Sequence, residues 1–472
     1  MTTRSHSGRM FMNLIDFILL LALTALACSV PGGGTRVPAG PSNTPYVAIP
    51  PIDTQLPAVV DTPSAPLAAN TPSAPSAAVS LWENSFSDAN GWKNEPYWNS
   101  IQFADVNGDG KADVCGRGLA GVYCGVSNGA GFSAVALWEG TFSDANGWNK
   151  SPYWNTIKFA DVNGDGKDDV CGRGILGEYC GISNGAGFSA VTLWEDNFSD
   201  GNGWNQEPYW NSIQFADVNG DGRADVCARG IAGEYCGVSS GTAFSAATVW
   251  EDNFSDGNGW NKSPYWNTIS FPDVNGDAKA DICGRGLAGE YCGISNGYVF
   301  SAVTLWETTF SDANGWNKSP YWNTIAFPDV NGDGLSDLCG RGILGEYCGI
   351  SNGSSFSAVT QWDSSFSDAN GWNKSPYWNT LQFADVNGDG LADLCGRGLA
   401  GVSCGSSTGS SFAAAVIWEN IFSDANGWNK SPYFNTVLFA DLNGDNLQDV
   451  CGRGIEGVYC GVSNGSAFQA AQ

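Results

Sequence analysis

Histidine is almost missing from this chain. His6 is the only one in 472 residues, and it stands ahead of the first apolar stretch. Ser-His-Asp and Cys-His catalytic arrangements are therefore excluded from everything behind that stretch, and an imidazole-based zinc site goes with them. Basic residues are scarce too: 21 Lys and Arg stand against 48 Asp and Glu, a formal net charge of −27. No basic stripe exists to attract a phosphate backbone, so nucleic acid is excluded as a partner. No window shows helical periodicity. The apolar run Phe17–Ala27 is too short for an ordinary membrane span.

What is present is repetition. The stretch DVNGDGKADVCGRG begins at Asp105 and starts again, with variations, at Asp161, Asp217, Asp273, Asp329, Asp385 and Asp441, every 56 residues. The units are 81–136, 137–192, 193–248, 249–304, 305–360, 361–416 and 417–472. A unit this short leans on its neighbours to bury a core. In the second unit, Asn155–Ala160, Val170–Gly174, Gly177–Ser183 and Phe188–Trp194 read as four strands, and Glu195–Tyr209 as a long return loop. Asn184–Gly185 is a strong hairpin signal. Four antiparallel strands repeated seven times predict an all-β, seven-bladed propeller over 77–472. The segment Ser76–Trp82 resembles the fourth strand and can complete the final blade, which leaves no open sheet edge. A solenoid is the alternative, but it would want atypical capping units, and these are nearly uniform.

Each unit holds two Cys nine residues apart: Cys115 and Cys124, Cys171 and Cys180, Cys227 and Cys236, Cys283 and Cys292, Cys339 and Cys348, Cys395 and Cys404, Cys451 and Cys460. A two-residue turn at Leu119–Ala120 sets Cys115 opposite Cys124 as a non-hydrogen-bonded pair, close enough for a disulfide. The spacing thus predicts seven cross-strand disulfides and an oxidising compartment. The same register sets Arg173, Arg229, Arg285 and Arg341 opposite Glu178, Glu234, Glu290 and Glu346.

The acidic loop has the hard-oxygen spacing of a calcium site, although it is shorter than an EF-hand and strands flank it. Its first ligand is Asp105, Asp161, Asp217, Asp273, Asp329, Asp385 or Asp441. The third position is Asn107, Asn163, Asn219, Asn275, Asn331, Asn387 or Asn443, and the fifth Asp109, Asp165, Asp221, Asp277, Asp333, Asp389 or Asp445. The seventh offers a backbone carbonyl at Lys111, Lys167, Arg223, Lys279, Leu335, Leu391 or Leu447. The ninth is Asp113, Asp169, Asp225, Asp281, Asp337, Asp393 or Asp449. Up to seven structural Ca²⁺ ions are expected; a metal-free Asp/Asn/Gly turn is the alternative. Ala278 replaces the sixth-position Gly in the fourth loop and Asn446 does so in the last, so the fourth site is expected to be the weakest or distorted.

These residues carry a likeness. FADVNGDGKAD in its strand-flanked frame resembles the FG-GAP/VCBS repeats of integrin alpha-chain propellers, which implies calcium in the loop and seven blades. GWKNEPYW at Gly91–Trp98, with the acidic loop, is similar to propeller lectins related to the Psathyrella velutina lectin. The likeness covers Leu81–Gln472 and does not name a ligand.

The long loop carries an aromatic pair in every unit: Trp92 and Tyr97, Trp148 and Tyr153, Trp204 and Tyr209, Trp260 and Tyr265, Trp316 and Tyr321, Trp372 and Tyr377, Trp428 and Tyr433. Either the Trp packs down as the loop's own core, or it offers a flat apolar platform. With Asp88, Asn90 and Asn94 beside it, such a platform suits a sugar ring. Recurrence favours weak multivalent binding. Glycans or surface proteins are the expected partners, and protein adhesion or a surface scaffold is the alternative function. A carboxylate dyad for glycoside hydrolysis stays chemically open, because that chemistry needs only two acids at the proper separation. The repeats contain no singular constellation, so no enzyme is expected.

Ahead of the repeats, residues 1–28 read as an export signal, with Arg4 and Arg9 before the apolar run. Ala25–Cys28 resembles a lipoprotein box, and Cys28 is the one Cys left outside the pairs, which makes it the expected lipidation site. Cleavage at an ordinary Ala-x-Ala site, giving a secreted chain, and a retained anchor are the alternatives. Residues 29–76, rich in Pro, Ala, Ser and Thr, are expected to form a tether.

Overall fold

The structure, a computed structural model, describes residues 79–471. The leader, the tether and Cys28 lie outside the described residues. The opening elements are β1 (Ser80–Glu83), β2 (Gln102–Ala104), β3 (Asp113–Gly118), β4 (Gly121–Gly125) and β5 (Ala136–Glu139). The last four make one antiparallel sheet in the order β2-β3-β4-β5. Seven such blades form the propeller, and β1 belongs to the last of them. It pairs with Val458–Ser463, Ser80 opposite Cys460 and Leu81 opposite Tyr459. The chain's first strand thus closes the ring at its last blade.

The register follows the two-residue turn. Gly118 faces Gly121, Arg117 faces Val122, and Cys115 faces Cys124. In the second blade Arg173 faces Glu178 and Cys171 faces Cys180. All seven expected disulfides are present. Such bridges form in an oxidising environment.

Three local expectations change. The outer strand is shorter than its apolar run: in the second unit it is Thr192–Glu195, and Phe188 keeps only an isolated bridge to Ser183. In the fourth and fifth units Pro272 and Pro328 stand where the first has Ala104. Proline has no N–H for the ladder, and the inner strand there shrinks to the single bridges Ser270 to Cys283 and Ala326 to Cys339. The return loop is partly helical. It holds a 3₁₀ turn at Asp88–Asn90 and one α-turn, α1 (Glu95–Trp98), with Pro96 in the first turn, where its missing N–H costs nothing.

The core lies between blades. One cluster joins Val106 and Cys115 of the first unit to Phe142, Trp148, Ile157 and Val170 of the second. No blade buries its sheet faces alone, which is why the fold needs the ring. Among the described residues, no helix is long and apolar enough to cross a membrane.

Candidate functional site

The strand β3 runs from the acidic loop at its start to the two-residue turn at its end, so the two features lie on opposite faces of the propeller. The return loop shares the face of the turn, where Asp144 N donates to the Leu119 carbonyl at 3.0 Å.

The return loop is built from its first acid. The Glu83 carboxylate accepts from the backbone N–H of Ser85 at 2.7 Å and Phe86 at 3.1 Å. Asn90 Nδ2 donates to the carbonyls of Asn84 and Ser85. Trp92 then folds inward and is 7% exposed. It meets Phe86 edge-on at 4.4 Å between ring centroids, with Tyr97 at 6.1 Å and Tyr123 at 6.3 Å. The strand beneath is glycine for this reason: a Cβ on Gly116 would lie 2.9 Å from the indole. In the third unit Ala228 occupies that place, and Trp204 stands closer to its tyrosine, 5.7 Å from Tyr235. Of the two readings of the Trp column, packing as the loop's own core is the one observed. An indole sandwiched this way offers an edge, not a flat face.

Asp88 and its counterparts are also structural. Arg117 is fully buried; its Nε donates to the Phe142 carbonyl at 2.8 Å, and its Nη2 pairs with Asp144. Tyr97 donates its hydroxyl to the same Asp144 at 2.8 Å, and its ring lies 5.5 Å from the guanidinium. One aspartate in each return loop therefore holds the arginine and tyrosine of the preceding unit. Arg453 and Tyr433 close on Asp88 in the same way. Burial and the hydrogen bond to Asp200 push the Tyr153 hydroxyl up to about 12. The register placed Arg173 opposite Glu178 correctly, but the ion pair forms with Asp200, 27 residues on. Both Glu178 carboxylate oxygens are buried with no hydrogen-bond partner.

The Trp and Tyr columns do meet, at clefts between the return loop and the turn. In the fifth unit a cleft of about 460 Å³ is lined by Asn314, Trp316, Lys318, Tyr321, Ile343, Leu344 and Tyr347. Trp204, Tyr209, Asn202, Ile231 and Tyr235 line one of about 260 Å³ in the third unit. Trp428, Tyr433, Asn426, Ile455, Glu456 and Tyr459 line one of about 290 Å³ in the seventh. Sequence reasoning missed the strand tyrosine and the aliphatic turn. The available signal was the turn itself: a leucine or isoleucine at a hairpin tip has no core to enter, and Leu119, Ile231, Leu287 and Leu399 are all more than 60% exposed. The sixth unit differs, because Ser403 stands where the other units have Tyr. A larger cavity, about 650 Å³, opens on the inner strands of the fifth and sixth units between Phe327, Leu381 and Gln382. It lies away from the aromatic columns.

On the opposite face each acidic loop is wound around its first aspartate. Asp105 accepts from the N–H of Gly108 and of Gly110, both at 2.7 Å. The loops join into a collar: Ala112 N donates to the Asp441 carbonyl at 2.7 Å and Asp168 N to the Asp105 carbonyl at 2.9 Å. Asp113 is wholly buried; burial, with Asp105 and Asp109 nearby, pushes its carboxyl up to about 7. Asn107 Oδ1 and Asp113 Oδ2 are buried without a partner, so the donor set suits a hard cation. Among the described residues, no three acidic, His or Cys side chains already converge on one point. Ala278 adopts φ 62° and Asn446 φ 66°. The fourth loop keeps the hydrogen bond of its neighbours, Ala278 N to Asp273 at 2.8 Å, so its backbone is strained but not distorted.

No family model and no curated protein matches this chain. Among solved structures it is similar to a lectin of Agrocybe aegerita that specifically recognises non-reducing terminal N-acetylglucosamine. The two are 30% identical over 69% of this chain and 81% of the lectin, with a TM-score of 0.64. It is also similar to the Photorhabdus luminescens Tc holotoxin pore, 16% identical over 69% of this chain and 14% of that one, TM-score 0.42. A Bacillus licheniformis rhamnogalacturonan lyase is 12% identical over 77% of this chain and 71% of the lyase, TM-score 0.40. The FG-GAP/VCBS likeness stays a likeness of motif. On its identity with the lectin and its seven blades, the chain belongs to the family of the Agrocybe aegerita lectin.

Proposed function

We propose that this chain is an exported, non-catalytic propeller that binds carbohydrate at several clefts at once. The observation that carries the reading is the recurrence of one cleft, with Trp, Tyr and Asn beside an exposed aliphatic turn, in a chain of a lectin's family. Tyrosine faces and aliphatic side chains suit the C–H face of a sugar, while Asn and backbone groups suit its hydroxyls. Calcium is part of the reading. Asp105, Asn107, Asp109, Asp113 and the Lys111 carbonyl, with their counterparts, would hold it, and the ion would offset the charge of a buried carboxylate. Acylation at Cys28 would fix the tethered propeller to a cell surface, and mass analysis of the mature N-terminal peptide tests that.

A glycan array probed in calcium and in chelator tests the central part, with terminal N-acetylglucosamine glycans as the first expectation. Tyr235→Ala and Tyr347→Ala should weaken binding without opening the ring. Absence of binding to any glycan would overturn the reading. The exposed aliphatic turn tips favour a second one, adhesion to a protein surface.

A further inference from the structure

The cations of this acidic chain are not spread evenly. The seven strand arginines from Arg117 to Arg453 are buried and committed to aspartates. Lys111, Lys167, Arg223 and Lys279 pair with an aspartate of their own loop, on the face away from the clefts. A third set, Lys150, Lys262, Lys318, Lys374 and Lys430, occupies one register, just before the α-turn of the return loop. All five are exposed, and none makes an ion pair among the described residues. The amines of Lys150, Lys262, Lys318 and Lys374 lie 5.9, 5.7, 5.9 and 5.6 Å from the ring centroids of the cleft tyrosines. Lys318 lines the cleft itself.

The fold does not require these lysines. In the first and third units Asn94 and Gln206 take their place, followed by Glu95 and Glu207, and the same turn forms there, although the first unit carries an exposed lysine one residue earlier, Lys93. An exposed cation–π contact contributes little. On a chain of net charge −27, an unneutralised amine at the mouth of an aromatic cleft is a local reversal of sign. We propose that the lysine-bearing clefts select an anionic saccharide, a sugar carrying a carboxylate or a sulfate, and that the third cleft, which has no lysine in its turn, does not. This rests on the carbohydrate reading above. The seventh cleft is the weakest of the five, because Glu456 lines it and Lys430 does not. A charge-assisted hydrogen bond from one lysine to the bound anion would favour it over its neutral counterpart by about tenfold, or about 1.4 kcal/mol. Lysine acts here as a point charge, so carboxylate and sulfate are not distinguished by the amine alone.

The test uses the intact chain against polygalacturonate and its methyl ester, and against dextran sulfate and dextran, with the array's neutral glycans as a control. Tenfold or greater preference for a charged polymer, falling as salt is raised, is expected. Preference for polygalacturonate alone names the carboxylate, and for dextran sulfate alone the sulfate. Lys→Gln at all five positions should abolish the preference, lowering affinity for the charged polymer by tenfold or more and for neutral glycans by less, with the melting temperature in place. Gln206→Lys with Glu207→Ser should raise that preference, which keeps the test open if the five-site variant folds poorly. Neutral binding with no anionic preference, or a preference that survives loss of the lysines, overturns this inference and leaves the carbohydrate reading standing. Binding to no glycan of either kind overturns both.

Discussion

Replacing Glu178 with valine should make the propeller more stable, and increasingly so as pH rises. The position is a natural comparison: Glu178, Glu234, Glu290 and Glu346 fill it in four blades, and Val122, Val402 and Val458 in the other three, all buried opposite a strand arginine. The arginine does not depend on the glutamate, because it already pairs with an aspartate in every unit, Val-bearing units included. Burial raises the Glu178 carboxyl well above its usual 4.5; Arg173 pulls it down and Glu195 pushes it further up, and burial wins. A raised value in the folded state means that the folded chain binds the proton more tightly than the unfolded one. The stability it contributes is fully present below about pH 4.5 and is lost as pH climbs toward the folded value. Two unpartnered buried oxygens cost about 1–3 kcal/mol even when the group is neutral. Above pH 4.5 each further unit adds up to about 1.4 kcal/mol while the folded carboxyl keeps its proton. Guanidinium unfolding of Glu178→Val and the parent at pH 5, 6.5 and 8 reads both effects. The variant should gain about 1 kcal/mol or more at pH 5, and the gap should widen toward pH 8. A variant less stable at every pH, or a gap that ignores pH, would refute the reasoning and show Glu178 to be an ionised partner of Arg173.

Ala278→Gly should stabilise the fourth unit by about 1 kcal/mol, because a left-handed φ of 62° strains any residue with a Cβ; thermal melting in chelator checks it. Calcium should raise the melting temperature, and calorimetric titration should resolve two classes of site. In the first four loops a Lys or Arg forms an ion pair with the position-5 aspartate and must be displaced, while Leu335, Leu391 and Leu447 leave that aspartate without an ion pair in the last three, where Asp333 and Asp445 accept instead from the side-chain amides of Asn331 and Asn443. Leu335→Lys should then move one site from the tighter to the weaker class, and seven equal sites would contradict this. Asp88→Ala should destabilise by about 2 kcal/mol or more, since it leaves the buried Arg453 uncompensated at the seam where the ring closes; a near-neutral unfolding midpoint would show that the strand β1 alone holds the seam.

Much of the fold was legible because it is local. A fixed 56-residue period, a two-residue turn and Cys nine apart fix the register of β3 on β4, and the spare apolar segment before the first unit points to closure. The return loop was less legible because its order comes from the neighbouring unit. The helical turn at Glu95–Trp98 is a single turn, too short to show periodicity, and Tyr97 is held by Asp144 from the next repeat. The arginine's partner was missed for the same reason: cross-strand spacing points to Glu178, while the pair is made across the blade interface to Asp200. The aromatic columns were found, but their orientation depends on glycines 116 and 118 beneath the indole, a contact that spacing alone does not reveal.

The claim on which the functional account stands is that equivalent clefts act together. Calorimetric titration of the intact chain with the best glycan from the array measures it directly. Several equivalents bound per chain, reduced by about one with each cleft tyrosine replaced by alanine, is the predicted result. A single equivalent, untouched by Tyr235→Ala and Tyr347→Ala, would place binding elsewhere and contradict it.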